Sequence, residues 1–179
     1  SEQMIRVKDE VFISNPSSNK LYVLDLLSMS LSDSIETGFA SYALSLDEYG
    51  KIWVGCKGDQ ALGEKAFLDC IDPVNHQRLH HFELGDEAIL DVYCANGQVY
   101  WIQDNKLQAT SSTSPSLPGN SLYTSGSNLY AVEVYDQKIY LCDAIDFVQK
   151  GEVLILYPDG TVFHRFRAGR IPNGFLFIP

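Results

Sequence analysis

Three of the four histidines crowd into one stretch, His76, His80 and His81 within HQRLHHFELG, the densest potential metal set in the chain. On an extended strand His76 and His80 share a face but lie roughly 13 Å apart, while His81 points to the other face. Such positions do not converge on one ion, and a solvated outer strand is the expected setting. Asp143 and Asp146, with Glu152 nearby, are the carboxylates whose spacing suggests calcium binding or acid–base work. A calcium loop of the EF-hand type needs oxygen ligands at alternating positions and a glycine at the sixth, and neither is present. Loop solvation and turn capping are the expected roles. No nucleophile elbow, HExxH helix or P-loop occurs. No catalytic residue, cofactor or metal ligand is therefore expected.

The four cysteines, Cys56, Cys70, Cys94 and Cys142, contain no CxxC or other zinc spacing. Cys56 and Cys70 flank one expected hairpin, but centring its loop sets Cys56 opposite Phe67. That offset leaves the two sulfurs roughly 10 Å apart, beyond disulfide reach. Small buried apolar thiols are the expectation for all four. Trp53, Tyr100, Trp101 and Tyr140 invite a sugar-stacking reading, yet each falls inside an apolar run where packing between sheets is the default.

The elements that must position these residues repeat. An apolar stretch, a polar turn and an aromatic-bearing strand recur as IRVKDEVFIS from Ile5, LSLDEYGKIWVG from Leu44, LDVYCANGQVYWI from Leu90 and AVEVYDQKIYLC from Ala131. Their central aromatics Phe12, Trp53, Tyr100 and Tyr140 are separated by 41, 47 and 40 residues. A period in the forties with several short strands per unit predicts an all-β propeller of about four four-stranded blades. Tyr49-Gly50, Asn96-Gly97 and Asp136-Gln137 are the hairpin turns between paired strands. The repeats are expected at about 4–38, 41–85, 88–126 and 128–169, followed by a closing strand over 171–179. The third is the weakest, with a short strand around Leu107 and a degenerate one near Leu122. No segment shows a helical period of helix length.

Composition bounds what this scaffold meets. The 179 residues are enough for one sizeable core, burying roughly 70% of the unfolded surface. Thirteen basic against 23 acidic residues give a net charge of -10, which repels nucleic-acid phosphates and anionic membranes. No apolar run approaches the roughly 18 residues that span a bilayer. The opening Ser1-Glu2-Gln3-Met4 shows no signal-peptide pattern.

In a propeller, the loops from the outer strand to the next inner strand share a face with those joining second and third strands. The first set contributes Phe39, Tyr42, Asp86, Glu87, Arg170 and Asn173. The second contributes Asn15, Asn19, Lys57, Asp59, Gln103, Asp104, Asp143, Asp146 and Phe147. A rigid scaffold presents such loops for binding. The ligand set expected on this face is Phe39, Tyr42, Lys57, Asp59, Gln103, Asp143, Asp146, Phe147, Arg170 and Asn173.

Several motifs carry a family resemblance. They are D-x-x-G-K-I-W-V at Asp47 to Val54, then Asp143-Ala144-Ile145-Asp146-Phe147, Gly151-Glu152-Val153, Tyr157-Pro158-Asp159-Gly160 and Ala168-Gly169-Arg170-Ile171-Pro172-Asn173-Gly174-Phe175. Over residues 41–178 the chain resembles the YncE-like surface β-propellers of Bacteroidetes, whose C-terminal half is a domain of unknown function. The resemblance implies a seven-bladed protein about twice this length, secreted or lipid-anchored and so extracytoplasmic, of which this chain is a C-terminal portion. Some relatives are cell-surface cobalamin-binding proteins that serve an outer-membrane transporter. The expected function is a non-catalytic surface binding protein that captures a nutrient such as a corrinoid or glycan, or a protein partner. Two alternatives stand beside it: a structural or protein-interaction propeller without a small ligand, and a metal-dependent lactonase or lyase. Fold alone does not choose among them.

Overall fold

The computed structural model describes residues 3–178, which fall into two compact units divided between Val92 and Tyr93. In the first unit β1 (Met4–Val7), β2 (Glu10–Ile13), β3 (Lys20–Asp25) and β4 (Ser30–Glu36) make one antiparallel sheet in the order β1-β2-β3-β4. A second sheet follows in the same pattern from β5 (Ser41–Leu46), β6 (Ile52–Cys56), β7 (Ala66–Asp72) and β8 (Gln77–Gly85). The third is β9 (Ile89–Ala95), β10 (Gln98–Gln103), β11 (Lys106–Ser111) and β12 (Tyr123–Thr124). The fourth is β13 (Leu129–Tyr135), β14 (Lys138–Asp143), β15 (Glu152–Leu156) and β16 (Val162–Arg167). Apart from one 3-10 turn at Gln60–Leu62 the described residues are all β and turn. Four consecutive four-stranded meanders are the expected blades. The weak third one ends in a two-residue strand, tied on where the Leu122 amide donates to the Leu107 carbonyl.

Burial is graded across each meander. All of β6 is buried, whereas all of β16 and most of β8 are exposed. Strands covered on both faces read as continuous apolar runs, as Ile52-Trp53-Val54-Gly55-Cys56 does. The outer strands instead carry charge, Arg165 and Arg167 on β16 and Arg78 and Glu83 on β8, which keeps these edges from pairing with other chains. Phe12, Leu21, Val23, Ile35, Leu44, Ile52, Val54 and Ile71 make one continuous core in the first unit.

The turns are built by side chains as much as by backbone. Asp47 is almost fully buried, and its carboxylate accepts from the Tyr49 and Lys51 amides, each at 2.9 Å, and from Trp53 Nε1 at 3.0 Å. Gly50 closes this turn at φ +76°, a conformation open to glycine without strain. The Asp47-x-x-Gly50 pattern thus locks a turn and satisfies the ring N–H of a wholly buried tryptophan together. Cys56, Cys70 and Cys142 are buried as expected whereas Cys94 is only half-buried; Cys56 pairs with Phe67 as expected, and all four thiols are free. Burial holds the Cys56 thiol well above its usual pKa and pushes Cys70 up to about 12.

Two expectations are corrected. Residues 171–178 form no strand, and Pro179 lies outside the described residues. Pro172 has no amide hydrogen to give to a ladder. The Phe175 amide donates at 3.0 Å to the side chain of Glu133, not to a backbone carbonyl. The tail is held by aromatic contacts instead: Phe177 stacks on Tyr135 at 4.4 Å, and Phe175 and Phe177 both meet Tyr140 edge-on. The histidine stretch is likewise not a uniformly solvated strand. His76 lies in the turn before β8 at φ +56°, with Nδ1 2.8 Å from Asp33 and Nε2 3.2 Å from Glu10. Its ring meets Phe12 edge-on, and His80 stacks at 6.4 Å on Trp53.

These contacts make two predictions. Asp47→Ala should cost about 2–3 kcal/mol in urea unfolding, because a turn cap is lost and the Trp53 N–H is left buried without a partner. A loss of only a few tenths would show that the turn holds without its carboxylate. For His76, burial alone would lower the pKa, but the bonds to Asp33 and Glu10 outweigh it and raise the ring above its ordinary value. A raised folded-state pKa stabilises below the unfolded value, and that contribution is lost as pH rises through the folded one. His76→Gln should therefore destabilise most between about pH 5 and 6.5, the ordinary imidazole value, and progressively less as pH rises through the folded-state value. A penalty independent of pH would assign the ring to packing against Phe12 alone.

Candidate functional site

In the first unit, backbone hydrogen bonds weave three loops together. The Thr37 amide donates to the Asn19 carbonyl at 3.0 Å and the Ala40 amide to Ser18 at 2.9 Å. Lys57 and Gly58 donate to the carbonyls of Ala40 and Phe39, both at 3.0 Å. The Asn15 amide donates to the buried Ser41 hydroxyl at 2.8 Å. The loop after Gly58 folds back on itself through the Asp59–Glu64 bridge. Gly58, at φ +69°, has no room for a side chain there: a Cβ would fall 2.5 Å from the Glu64 carbonyl oxygen. The backbone groups of these loops thus find their partners within the protein, without a ligand.

These loops, strand β7 and the outer strand β8 line a cleft of about 450 Å³. Its aromatic side is Phe39 and Phe67, with the His81 ring stacked on Phe67 at 4.0 Å. Its polar side is Arg78, His81, Glu36, Glu64 and Asn19. Behind the His81 ring lies Asp69, which has no solvent exposure. The Asp69 carboxylate accepts from His81 Nδ1 at 2.5 Å and from the Gly38 amide at 2.7 Å, and the Cys56 thiol faces it at 3.8 Å. Burial pushes the Asp69 carboxyl above the usual range, against the opposing pull of the His81 and Gly38 hydrogen bonds. A carboxylate can only accept, so Nδ1 carries the ring proton and Nε2 is left for other partners. The arrangement presents a fixed imidazole nitrogen, a guanidinium and two carboxylates around an aromatic wall.

The structure divides the expected ligand residues. Phe39 lines the cleft. Lys57 and Asp59 lie in loops of the first unit, whereas Tyr42 falls inside β5: the Lys57 ammonium sits 3.1 Å from the Tyr42 ring centre, and Asp59 caps the 3-10 turn by accepting from the Ala61 amide. Asp143, Asp146 and Phe147 form a separate group in the second unit. Asp143 is buried, and its carboxylate accepts from the Ser125 and Ser127 hydroxyls at 2.7 and 2.6 Å and from the Ile145 amide at 2.8 Å. Asp146 caps the next turn through the Val148 and Gln149 amides, bonds that hold its carboxyl below the usual range. Phe147 stays 44% exposed, edge-on to Tyr130. Gln103 ends β10, half-buried, and Arg170 and Asn173 are exposed beyond β16. A second recess of about 350 Å³ in this unit, between Tyr100, Val134 and Ile139, carries no charged group among its lining residues.

Glu36, Phe67, Asp69, Arg78 and His81 went unrecognised as site residues in the sequence. Centring the Asp72–Gln77 turn sets Asp69 opposite His80. A bulge between Cys70 and Ile71 shifts the register by one residue and sets it opposite His81. Gly38 tests the assembly, since a Cβ there would lie 2.7 Å from Phe67 Cβ and 2.9 Å from Cys56 Cβ. Gly38→Ala should cost about 1–3 kcal/mol in chemical denaturation, as the loop is pushed off Asp69. An unchanged stability would mean that the loop yields freely.

No protein-family model matches the chain, and no curated protein is significantly similar to it. Its fold has close counterparts among solved structures. Hydrazine synthase from Kuenenia stuttgartiensis matches with a TM-score of 0.73 at 11% identity, over 90% of this chain and 46% of that one. The Swd1 β-propeller domain from Myceliophteria thermophila matches with a TM-score of 0.73 at 11% identity, over 96% and 60%. A quinoprotein alcohol dehydrogenase-like protein from Bacteroides thetaiotaomicron gives 0.71 at 12% identity, over 97% and 47%. The chain thus spans between 46% and 60% of the length of these structures. At such identities the likeness speaks for architecture alone, and the architecture is that of a β-propeller.

Proposed function

We propose that this chain is a non-catalytic binding module that holds a small glycan in the cleft of its first unit. The observation that carries the reading is the pairing in one preformed cleft of an aromatic wall, Phe39 and Phe67, with Arg78, His81, Glu36 and Asn19. Sugars are recognised by an apolar C–H face against a ring and by hydroxyls that each need a donor or acceptor in a fixed place. A volume of about 450 Å³ is at the small end of ligand sites, which fits one or two sugar rings better than a corrinoid. The C-terminal motifs resembling YncE-like surface propellers support an extracytoplasmic setting and a role in nutrient capture, with an outer-membrane transporter as downstream partner.

A purely structural propeller would present a flat, loop-covered face, and the cleft weighs against that reading. A metal-dependent lactonase or lyase built on Asp143 is disfavoured by geometry, because both of its oxygens are already engaged by Ser125, Ser127 and Ile145.

The test is calorimetry of the chain against a panel of mono- and disaccharides, with a corrinoid and a divalent cation alongside. Saturable sugar binding is expected, weakened about tenfold by Phe39→Ala, the equivalent of ~1.4 kcal/mol. Binding of the corrinoid alone, or sugar binding indifferent to Phe39→Ala, would remove the cleft from the account.

A further inference from the structure

We infer that the ligand of this cleft is an acidic sugar, a uronate whose carboxylate is taken by Arg78; the inference rests on the glycan reading above. Arg78 is the unusual group in the wall. A guanidinium offers five N–H donors in a planar fork. Among the described residues this one makes a single hydrogen bond, Nη1 to the Glu36 carbonyl at 3.4 Å, near the limit for such a bond. It forms no ion pair among the described residues, as is true also of exposed Arg165, Arg167 and Arg170, but of the lysines and arginines it is the one that lines the cleft. In a chain of net charge -10, a cation left without an anion at the wall of a polar cleft marks where an anion is received. Asp69 does not fill that role: Arg78 lowers its pKa through space, but the Asp69 oxygens are spent on His81 and Gly38.

The rest of the wall decides which anion. Glu36 and Glu64 line the same cleft and are acceptors only. They would repel a phosphate monoester, with nearly two negative charges, more than a singly charged carboxylate. A ring bearing one carboxylate and several hydroxyls suits both signs together: the acid on the Arg78 fork, the hydroxyls donating to the two glutamates, and the ring face on Phe39. His81 Nε2 makes no hydrogen bond among the described residues, and its ring is held by Asp69 from behind and by Phe67 from the side. It is a further fixed partner for a hydroxyl beside the acid. Bidentate arginine–carboxylate pairing adds direction as well as strength, so the preference should be for the free acid over any neutral form.

The experiment is calorimetry of the chain with galacturonate and glucuronate disaccharides, each measured beside its methyl ester and its neutral parent sugar. At least one free acid should bind about ten- to a hundredfold tighter than its own ester. Arg78→Gln should abolish that difference, so that the free acid and its ester bind alike, and Arg78→Lys should fall between. Equal affinity for acid, ester and neutral parent would overturn the inference and leave the glycan reading standing, as would a preference that survives Arg78→Gln. Failure of every sugar, acidic or neutral, would overturn the glycan reading and this inference with it. If Arg78→Gln no longer melts as the parent does, the ester comparison decides without any variant.

Discussion

A carboxylate with no access to water is the constraint around which the first unit is arranged. Asp69 sits in the middle of β7, and an ion buried there is costly unless donors surround it. The chain supplies them from two directions: the His81 ring across the ladder on β8, and the Gly38 amide from the loop leaving β4. Both donors are also walls of the cleft. The need to satisfy one buried anion therefore fixes the distance between an outer strand and a neighbouring loop, and with it the shape of the space between them. Gly38 has no side chain because the loop must come close enough for its amide to reach the carboxylate.

The same device recurs with a different consequence. Asp47, Asp69 and Asp143 are the buried aspartates of the described residues, and each ties a turn or loop to its sheet. Asp47 serves a hairpin turn and the Trp53 ring, and Asp143 serves two serines and a following amide. Only at Asp69 does the partner ring still offer a second polar atom. Three aspartates in similar surroundings thus divide into two that are wholly structural and one that also positions a group at the surface.

Graded burial explains why chemistry gathers on the outer strands and loops. The middle of a second strand is apolar and charged side chains stand only at its ends, as in β14 from Lys138 to Asp143, while β6 is buried and apolar throughout. The fourth strand must be polar to protect its edge, so Arg78 and His81 are tolerated there at little energetic cost. A rigid inner strand and a charged outer one are separate demands of stability and solubility, and together they place reactive groups over a fixed base. The aromatic tail over Phe175 and Phe177 is held by ring contacts for a related reason: with proline and glycine at its start it packs well without a ladder.

The sequence by itself determined the repeat and the strands, because a two-residue alternation, a glycine-bearing turn and a period in the forties are local properties of the chain. Strand order also led to the expectation of a loop face; of the residues expected there, Phe39, Lys57 and Asp59 lie in loops of the first unit, whereas Tyr42 falls inside β5. Only the tertiary structure decided which polar residues are spent and which are available. Asp143 looks accessible in a loop but is consumed by Ser125 and Ser127, 18 and 16 residues away in the chain. His76 looks like a strand residue but bridges to Glu10 and Asp33, 66 and 43 residues away. The meeting of Asp69 with His81 instead of His80 turns on a single bulge, whose one-residue shift carries no signature in residue type. Strand identity is written in nearest neighbours. Register and the partnering of buried charge are set by what lies across the sheet, which the order of residues does not state.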